Sequence, residues 1–506
     1  MTEPNGELSG GHGPVRNTLF SFAAQVIGAV FTIILTVFLV RVLGPADYGV
    51  LALAISVGTF VLLVSDLGIS TSAARFTAER PTDRVHASAV LWTALRLKLL
   101  ATATTAAAMV ALAPTIAAAY DTPELTLPLR LIAISVAAQG FGALFLSWFA
   151  ALRRVSLSII YNLVESSVET TASICLVLLS GGAAAAVAGR AIGFTTAGIL
   201  AAALAIRVVG LPALKGSRGA GFSARRIAAY GGALLIIDSA FALFDRVDVL
   251  IIGAILDASS AGVFEAAVRI LTFLMYPGFA VGAGFAPRLA GERSVAEAAR
   301  FLGALRYTIL LYLLIAAGVL VWSEPIVLLV LGDGYTGSAE VLRALTPTVV
   351  LFGVSPLLSF GANYMGEARR RVPLAIAALL VNVVIDIILV PEIGITAGAI
   401  GTGVAFSIYT AGHAVICRRA LGVSFASFGP TVARGLLAWA AAVLVLLAFG
   451  TSDLGILDWL LGPPLAGAAF VGTLLLLREV QLEELRSAAR LGRQSLRRLG
   501  RAEGAE

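Results

Sequence analysis

The sequence predicts an all-α membrane protein of about fourteen transmembrane helices, and three observations carry that prediction. Of the 506 residues, 59% are hydrophobic and only 13% charged, with a mean hydropathy of +0.95, whereas soluble domains are roughly 45–50% apolar. Apolar runs of about 20 residues, the length that crosses a bilayer as a helix, recur from end to end. Arg and Lys gather after every second run. A helix satisfies its own backbone in hydrocarbon and an open strand does not, and the runs are too long for barrel strands.

In order along the chain, residues 1–16 form a cytoplasmic leader, polar and Gly-rich as far as Pro14. It has no basic region or small-residue cleavage site, so the first span is expected to stay uncleaved. The spans are read at 17–41, 46–75, 88–116, 124–151, 156–180, 183–208, 227–254, 258–287, 297–322, 340–366, 371–390, 395–420, 431–449 and 455–477. Basic groups follow the even-numbered spans: Arg75, Arg80 and Arg84; Arg153 and Arg154; Lys215, Arg218, Arg225 and Arg226; Arg288, Arg293 and Arg300; Arg369 to Arg371; Arg418 and Arg419. The alternate loops carry Asp47, Asp121, Glu124, Asp257, Glu324, Asp333, Glu392, Asp453 and Asp458, with Arg41 and Arg130 as exceptions. The positive-inside rule therefore puts both termini in the cytoplasm.

Residues 41–79 have an ungapped counterpart later in the chain. Leu43 matches Leu256, Gly49-Val50 matches Gly262-Val263, Ala54 matches Ala267, and Arg75 and Glu79 match Arg288 and Glu292. Each copy ends one apolar helix, turns through a Gly-containing link, runs a second apolar helix and stops on Arg-x-x-x-Glu. With an even number of spans per copy, spans 1–6 (17–209) and 7–12 (227–420) are parallel repeats about an axis along the membrane normal. The cytoplasmic linker 210–226, with GLPALKGSRGAGFS at 210–223, joins these two six-helix lobes. Spans 13 and 14 (431–477) are an appendage. In the tail, 478–506, Leu482, Leu485, Leu491, Leu496 and Leu499 alternate with Arg486, Arg490, Arg493, Arg497 and Arg498. That pattern suits an amphipathic helix on the anionic inner leaflet, and equally a solvated basic tail. The GxxxG spacings Gly189/Gly193 and Gly278/Gly282 permit close helix approach, although so Gly-rich a chain generates such pairs by composition.

Several classes of chemistry lack their motifs. There is no Walker-type Gly-x-x-x-x-Gly-Lys-Ser/Thr, and His12, His86 and His413 are too scattered for a metal site. Cys175 and Cys417 lie within spans, where a thiol behaves as a small hydrophobe. The longest outward loop, 323–339, is too short for a catalytic domain, so neither a cofactor nor an enzyme is expected. The spans themselves do carry charge, which costs about 2.5–3.5 kcal/mol on insertion scales and marks a cavity or pathway by default. Asp238, Asp245 and Asp248 share one face of span 7, which also contains Arg246. Glu265 and Arg269 stand at i,i+4 in span 8, Asp66 in span 2, Asn162, Glu165 and Glu169 on one face of span 5, Arg190 in span 6 and Asp386 in span 11. Each carboxylate is either a coupling or cavity group or one half of a pair that joins helices.

The segments VRVLGPADYGVLALA and SDLGISTSAARFTAE, and later LLVNVVIDIILVPEIGITAGAIGTGVAFSIY with Asn382, Pro391, Gly394, Gly398 and Gly401, resemble the polysaccharide-biosynthesis, Wzx-type flippase branch of the multidrug/oligosaccharidyl-lipid/polysaccharide exporter superfamily. The resemblance implies a V-shaped transporter of twelve core helices, in the cytoplasmic membrane, moving lipid-linked saccharides to the outer leaflet. The cargo would be carried on a polyprenyl or dolichyl phosphate or diphosphate. Matched by position, Arg16, Arg75, Arg269 and Arg288 would meet the headgroup phosphate, with Arg190 a further cavity charge; a guanidinium grips phosphate bidentately. The acidic face of span 7 departs from this pattern and points to ion coupling or internal pairing. The resemblance further implies a monomer in contact with membrane lipids and with glycosyltransferases or a polymerase of its pathway, not with nucleic acid. An ion-coupled multidrug or cation antiporter of the same superfamily is the alternative, and a membrane-embedded glycosyltransferase or polymerase is a more distant one.

Overall fold

The structure is a computed structural model that describes residues 14–209, 222–231, 243–290, 294–426, 428–484 and 486. Every regular element among them is helical. In chain order they are α1 (Pro14–Asp66), α2 (Ile69–Ala78), α3 (Arg84–Ala119), α4 (Thr126–Ala151), α5 (Val155–Ser180), α6 (Gly182–Val209), α7 (Val247–Ile255), α8 (Ala258–Phe285), α9 (Val295–Val321), α10 (Ser323–Val330), α11 (Gly337–Ala344), α12 (Thr346–Tyr364), α13 (Ala368–Ile393), α14 (Thr396–Leu421), α15 (Phe428–Ala448) and α16 (Ile456–Leu476).

Among the described residues, eleven helices are long and apolar enough to cross a membrane, or twelve if α11 and α12, bent by 58°, form one span. The count differs from fourteen at identifiable places. Spans 1 and 2 run together as α1, which is interrupted at Gly44 (φ 71°, ψ 173°) ahead of Pro45. The middle of span 7, 232–242, lies outside the described residues, as do most of the linker, the tail beyond 486, Glu292 and Asp238. Two expectations are corrected. Span 2 does not continue to residue 75: Leu67 and Gly68 both take left-handed backbone (φ 47° and 66°), which ends α1 at Asp66 and starts α2 in a new direction. Nor is 323–339 an open loop, because α10, a 3-10 turn at 333–335 and the start of α11 fill it.

The chain forms two compact units, Met1–Ala266 with Asp386–Ile395, and Ala267–Ile385 with Thr396–Glu506. In the first, Trp148 and Phe149 of α4 pack with Ala87, Val90 and Ala94 of α3 and with Ala197, Ala201 and Ala205 of α6. Alanines every four residues give α6 a smooth face on which the large rings lie. The Trp148 indole, fully buried, donates to Ala87 O at 3.2 Å, since its N–H needs a partner away from water.

The repeat-matched glycines meet inside this unit. A Cβ on Gly49 would lie 1.7 Å from Ala258 O, and one on Gly262 would lie 2.2 Å from Pro45 O and 2.7 Å from Gly49 N. Backbone rests on backbone where α1 crosses α8. Both GxxxG pairs also mark crossings: Gly189 and Gly193 seat α6 on Ser173 and Glu169 of α5, and Gly278 and Gly282 seat α8 on Gly353 and Pro356 of α12. Gly49→Ala is expected to destabilise the protein by about 1–3 kcal/mol, the usual cost of overpacking, read as a lower melting temperature in detergent. An unchanged melt would mean that the crossing readily yields to a methyl group.

In the second unit, Tyr312 of α9 inserts its hydroxyl into α8, accepting from Gly278 N at 2.8 Å and donating to Leu274 O at 2.7 Å. It replaces one rung of the helix beside Pro277, a recognised cause of bending. At the end of α16 the chain closes in a Schellman turn: Glu479 N reaches Leu474 O at 2.9 Å and Arg478 N reaches Leu475 O at 3.1 Å. Arg478 holds the left-handed position (φ 54°) where glycine is favoured. The turn sends Glu479 inward, where Arg306 Nε (2.9 Å), Arg434 Nη1 (2.9 Å) and Thr431 Oγ1 (2.7 Å) donate to its carboxylate, tying α9, α15 and the end of α16 together.

Burial alone would raise the Glu479 pKa, but the hydrogen bonds from Thr431, Arg434 and Arg306 outweigh it and hold the carboxyl below its ordinary 4.5. A depressed carboxylate stabilises the fold above its unfolded pKa and loses that contribution as pH falls through the folded one. Docking of α15 and α16 is therefore expected to weaken only below about pH 4.5, and Glu479→Gln to weaken it already at neutral pH. Limited proteolysis across a pH series checks this, and the anchor is refuted if the variant matches wild type at pH 7.

Candidate functional site

Charges inside a bilayer persist where another group answers them, and the first unit shows three such answers. Asp66, the last residue of α1, accepts from Ser70 Oγ at 2.5 Å and pairs with Lys98 of α3. Lys98 is 0% exposed and runs past Gly140 of α4, where a Cβ would sit 2.9 Å from its Cε. Four helices thus converge on one ion pair. Lys98 belongs to no motif, and its only signal in the sequence is the one that marks Asp66, a charge within an apolar run, here 88–116.

On α5 and α6 the glycine crossing brings Arg190 Nη1 to Glu169 Oε1 at 2.7 Å, with the guanidinium 4.7 Å from the Phe194 ring. Glu165 stands one turn before Glu169 and accepts from Ser166 Oγ at 3.1 Å. Tyr161, a turn earlier again, is buried against α4, where a Cβ on Gly142 would lie 1.9 Å from its hydroxyl. Two carboxylates, a phenol and a guanidinium therefore line neighbouring turns.

The third answer joins Arg246, just before α7, to Glu265 of α8, with Nη1 to Oε1 at 3.0 Å. The i,i+4 spacing had offered Arg269 for Glu265; the structure adds a partner from another helix. Asp248 is buried at the start of α7 and Asp245 is exposed, so the expected acidic face is divided between two environments. Asp238 lies outside the described residues.

Arg75 is different. It sits on α2, exposed, with its guanidinium 4.2 Å from the centroid of Tyr230, and makes no ion pair among the described residues. Arg226 lies over Phe76 and Phe222 at 5.1 and 5.4 Å, so two cations rest on one aromatic group. Arg288, the repeat counterpart of Arg75, is on the 3-10 turn after α8, in the second unit. It is also exposed and without an ion pair among the described residues, 5.9 Å from the Phe285 ring. Arg269 is half-buried on α8. Arg16 lies on the first turn of α1, but its side chain is not among those described.

One cluster in the second unit was missed. Arg371 of α13 donates through Nε to His413 Nε2 at 3.0 Å and through Nη2 to Ser359 Oγ at 2.6 Å, while His413 Nδ1 meets Tyr409 O at 2.8 Å. Both ring nitrogens of this buried histidine are engaged, Nε2 by the arginine and Nδ1 by the Tyr409 carbonyl of its own helix. In the sequence, Arg371 had served only to set topology.

Breaking a buried ion pair from one side costs about 3–5 kcal/mol, and removing both charges costs much less. Glu169→Gln alone is expected to reduce the yield of folded protein, and adding Arg190→Gln to restore it. A double variant as damaged as the single one would show that α6 is held on α5 without this pair.

Residues 15–285, more than half of the chain, match the family described as polysaccharide biosynthesis protein. A curated relative, the probable low-salt glycan biosynthesis flippase Agl15 of Haloferax volcanii, is 26% identical over 175 residues, which is 34% of this chain and 37% of that protein. The matched segment thus spans little more than a third of that relative. Among solved structures, the lipid II flippase MurJ in an inward closed conformation aligns with a TM-score of 0.72 at 13% identity, covering 91% of this chain and 98% of that one. An inward-facing multidrug resistance MATE family transporter of the MOP superfamily aligns at 0.65 and 16% identity, covering 79% and 96%. These two likenesses are of fold.

Proposed function

Because the chain belongs to the polysaccharide biosynthesis protein family, we propose that it flips a lipid-linked oligosaccharide or polysaccharide precursor across the cytoplasmic membrane by alternating access of two six-helix lobes. It is a transporter rather than an enzyme, with both termini in the cytoplasm. The observation that carries this reading is the matched pair Arg75 and Arg288. They occupy equivalent positions of the two repeats, both exposed and neither in an ion pair among the described residues. Such arginines keep their N–H donors for the phosphate of a lipid carrier.

Arg16, Arg190 and Arg269 are secondary candidates for the same headgroup, Arg190 with part of its charge already committed to Glu169. The carboxylates are read as pairing groups where a cation answers them, at Asp66, Glu169 and Glu265. This favours an anionic cargo over a cationic one. Glu165, Asp238 and Asp245 are further positions at which ion coupling would act.

Arg75→Gln with Arg288→Gln is expected to lower delivery of saccharide to the outer face by about tenfold or more, the effect of losing a charge-assisted hydrogen bond, while precursor accumulates inside. Arg75→Lys is expected to fall between, since it keeps the charge and loses the planar fork. Immunoblots of the same cells fix protein abundance. Normal surface glycan in the double variant would overturn the phosphate role. Gradient-driven efflux of a cationic dye, lost in Glu165→Gln while glycan export is unchanged, would favour the antiporter.

A further inference from the structure

The second unit contains a further cationic site. Arg306 of α9, Phe428, Thr431 and Arg434 of α15, and Arg478 and Glu479 after α16 line a cavity of about 380 Å³, within the ~300–1,000 Å³ typical of small-molecule sites. Glu479 holds Arg306 Nε and Arg434 Nη1 at 2.9 Å each. A guanidinium has five N–H donors, so this carboxylate orients both groups and leaves most of their donors unused. Glu484 approaches Arg306 at 3.6 Å, and Arg478 makes no ion pair among the described residues. Three arginines face two carboxylates, an excess of one positive charge.

The cavity's position limits what it can meet. α15 begins and α16 ends beside it, so it lies at one membrane face, and the first turn of α15 adds the positive end of a helix. Immediately along α15, Leu436 and Leu437 are 47% and 58% exposed, and Leu476 at the end of α16 is 85% exposed. A cationic pocket thus adjoins helix surface suited to acyl chains. Arg478 occupies a left-handed position where glycine would fit at no steric cost, which keeps a third guanidinium on the rim.

We propose that this cavity holds the phosphodiester headgroup of an anionic membrane phospholipid, with Arg306, Arg434 and Arg478 on the phosphate and the acyl chains along α15 and α16. One net positive charge matches one phosphodiester. The bound lipid would brace α15 and α16 against α9 through the Glu479 junction.

The full chain in phosphatidylcholine nanodiscs, with or without phosphatidylglycerol, provides the test, read by native mass spectrometry and thermal melting. Wild type is expected to retain a phosphatidylglycerol and to melt higher when it is present. Arg434→Gln with Arg478→Gln is expected to reduce that retention about tenfold. Arg478→Gly separates binding from folding, because it suits the turn while removing the charge: it is expected to retain less phosphatidylglycerol with an undiminished melt in phosphatidylcholine alone. Equal retention by wild type and both variants, or none by wild type, overturns the proposal. An equal stabilisation by inorganic phosphate in phosphatidylcholine discs would assign the cavity to a soluble anion and overturn the lipid reading.

Discussion

Lys98 has no exposed surface and meets a carboxylate at the end of α1, and much of the first unit depends on that meeting. An ammonium group taken out of water is tolerated only with an opposite charge in good geometry. Gly140 leaves room for the lysine stem, and Ser70 takes up the same carboxylate oxygen. α1, α2, α3 and α4 are thereby fixed around one point. The left-handed pair Leu67-Gly68 directly after Asp66 fits this arrangement, because the chain turns there and returns Ser70 to the acid.

The same logic recurs with different chemistry. Glu169 and Arg190 close the crossing of α5 and α6 where glycines let the backbones touch, and Arg246 meets Glu265 across α7 and α8. Glu479 holds the C-terminal helices through two arginines and a threonine. Committed charges of this kind serve architecture. Arg75 and Arg288, each near an aromatic ring and without an ion pair among the described residues, are charges of another kind, and they are the ones we propose for the phosphate.

Much of this was legible in the sequence because hydrocarbon is a strict solvent. Span positions follow from apolar runs, and the glycines of the repeat match, Gly49 and Gly262, fall at positions where a side chain does not fit. Asp66, Glu169, Glu265 and Arg190 were recognisable as expensive groups. Their partners were less so, since Lys98 and Arg246 reach them across helices and no local spacing encodes that. The break at Leu67-Gly68 was hidden inside a continuous apolar run, where one left-handed leucine leaves no compositional trace. The contact of Arg371 with His413 went unseen for a related reason: a basic cluster at a span end serves topology and hydrogen bonding alike.

The glycine crossing has a form that bears on descent. Gly49 approaches Ala258, and Gly262 approaches Pro45; positions 45 and 49 correspond to 258 and 262 at the same offset that relates Leu43 to Leu256. Each copy of the repeat therefore offers the same two positions and receives the same two in return, the reciprocity of a two-fold homodimer. A half-length ancestor could have made this contact with a second copy of itself. Fusion would then have replaced association by a tether, fixing the stoichiometry and freeing each half to change alone. The glycines of the crossing, Gly49 and Gly262, are what such a history would leave unchanged, while Pro45 against Ala258, and Arg75 beside Tyr230 against Arg288 beside Phe285, mark where the halves have gone separate ways.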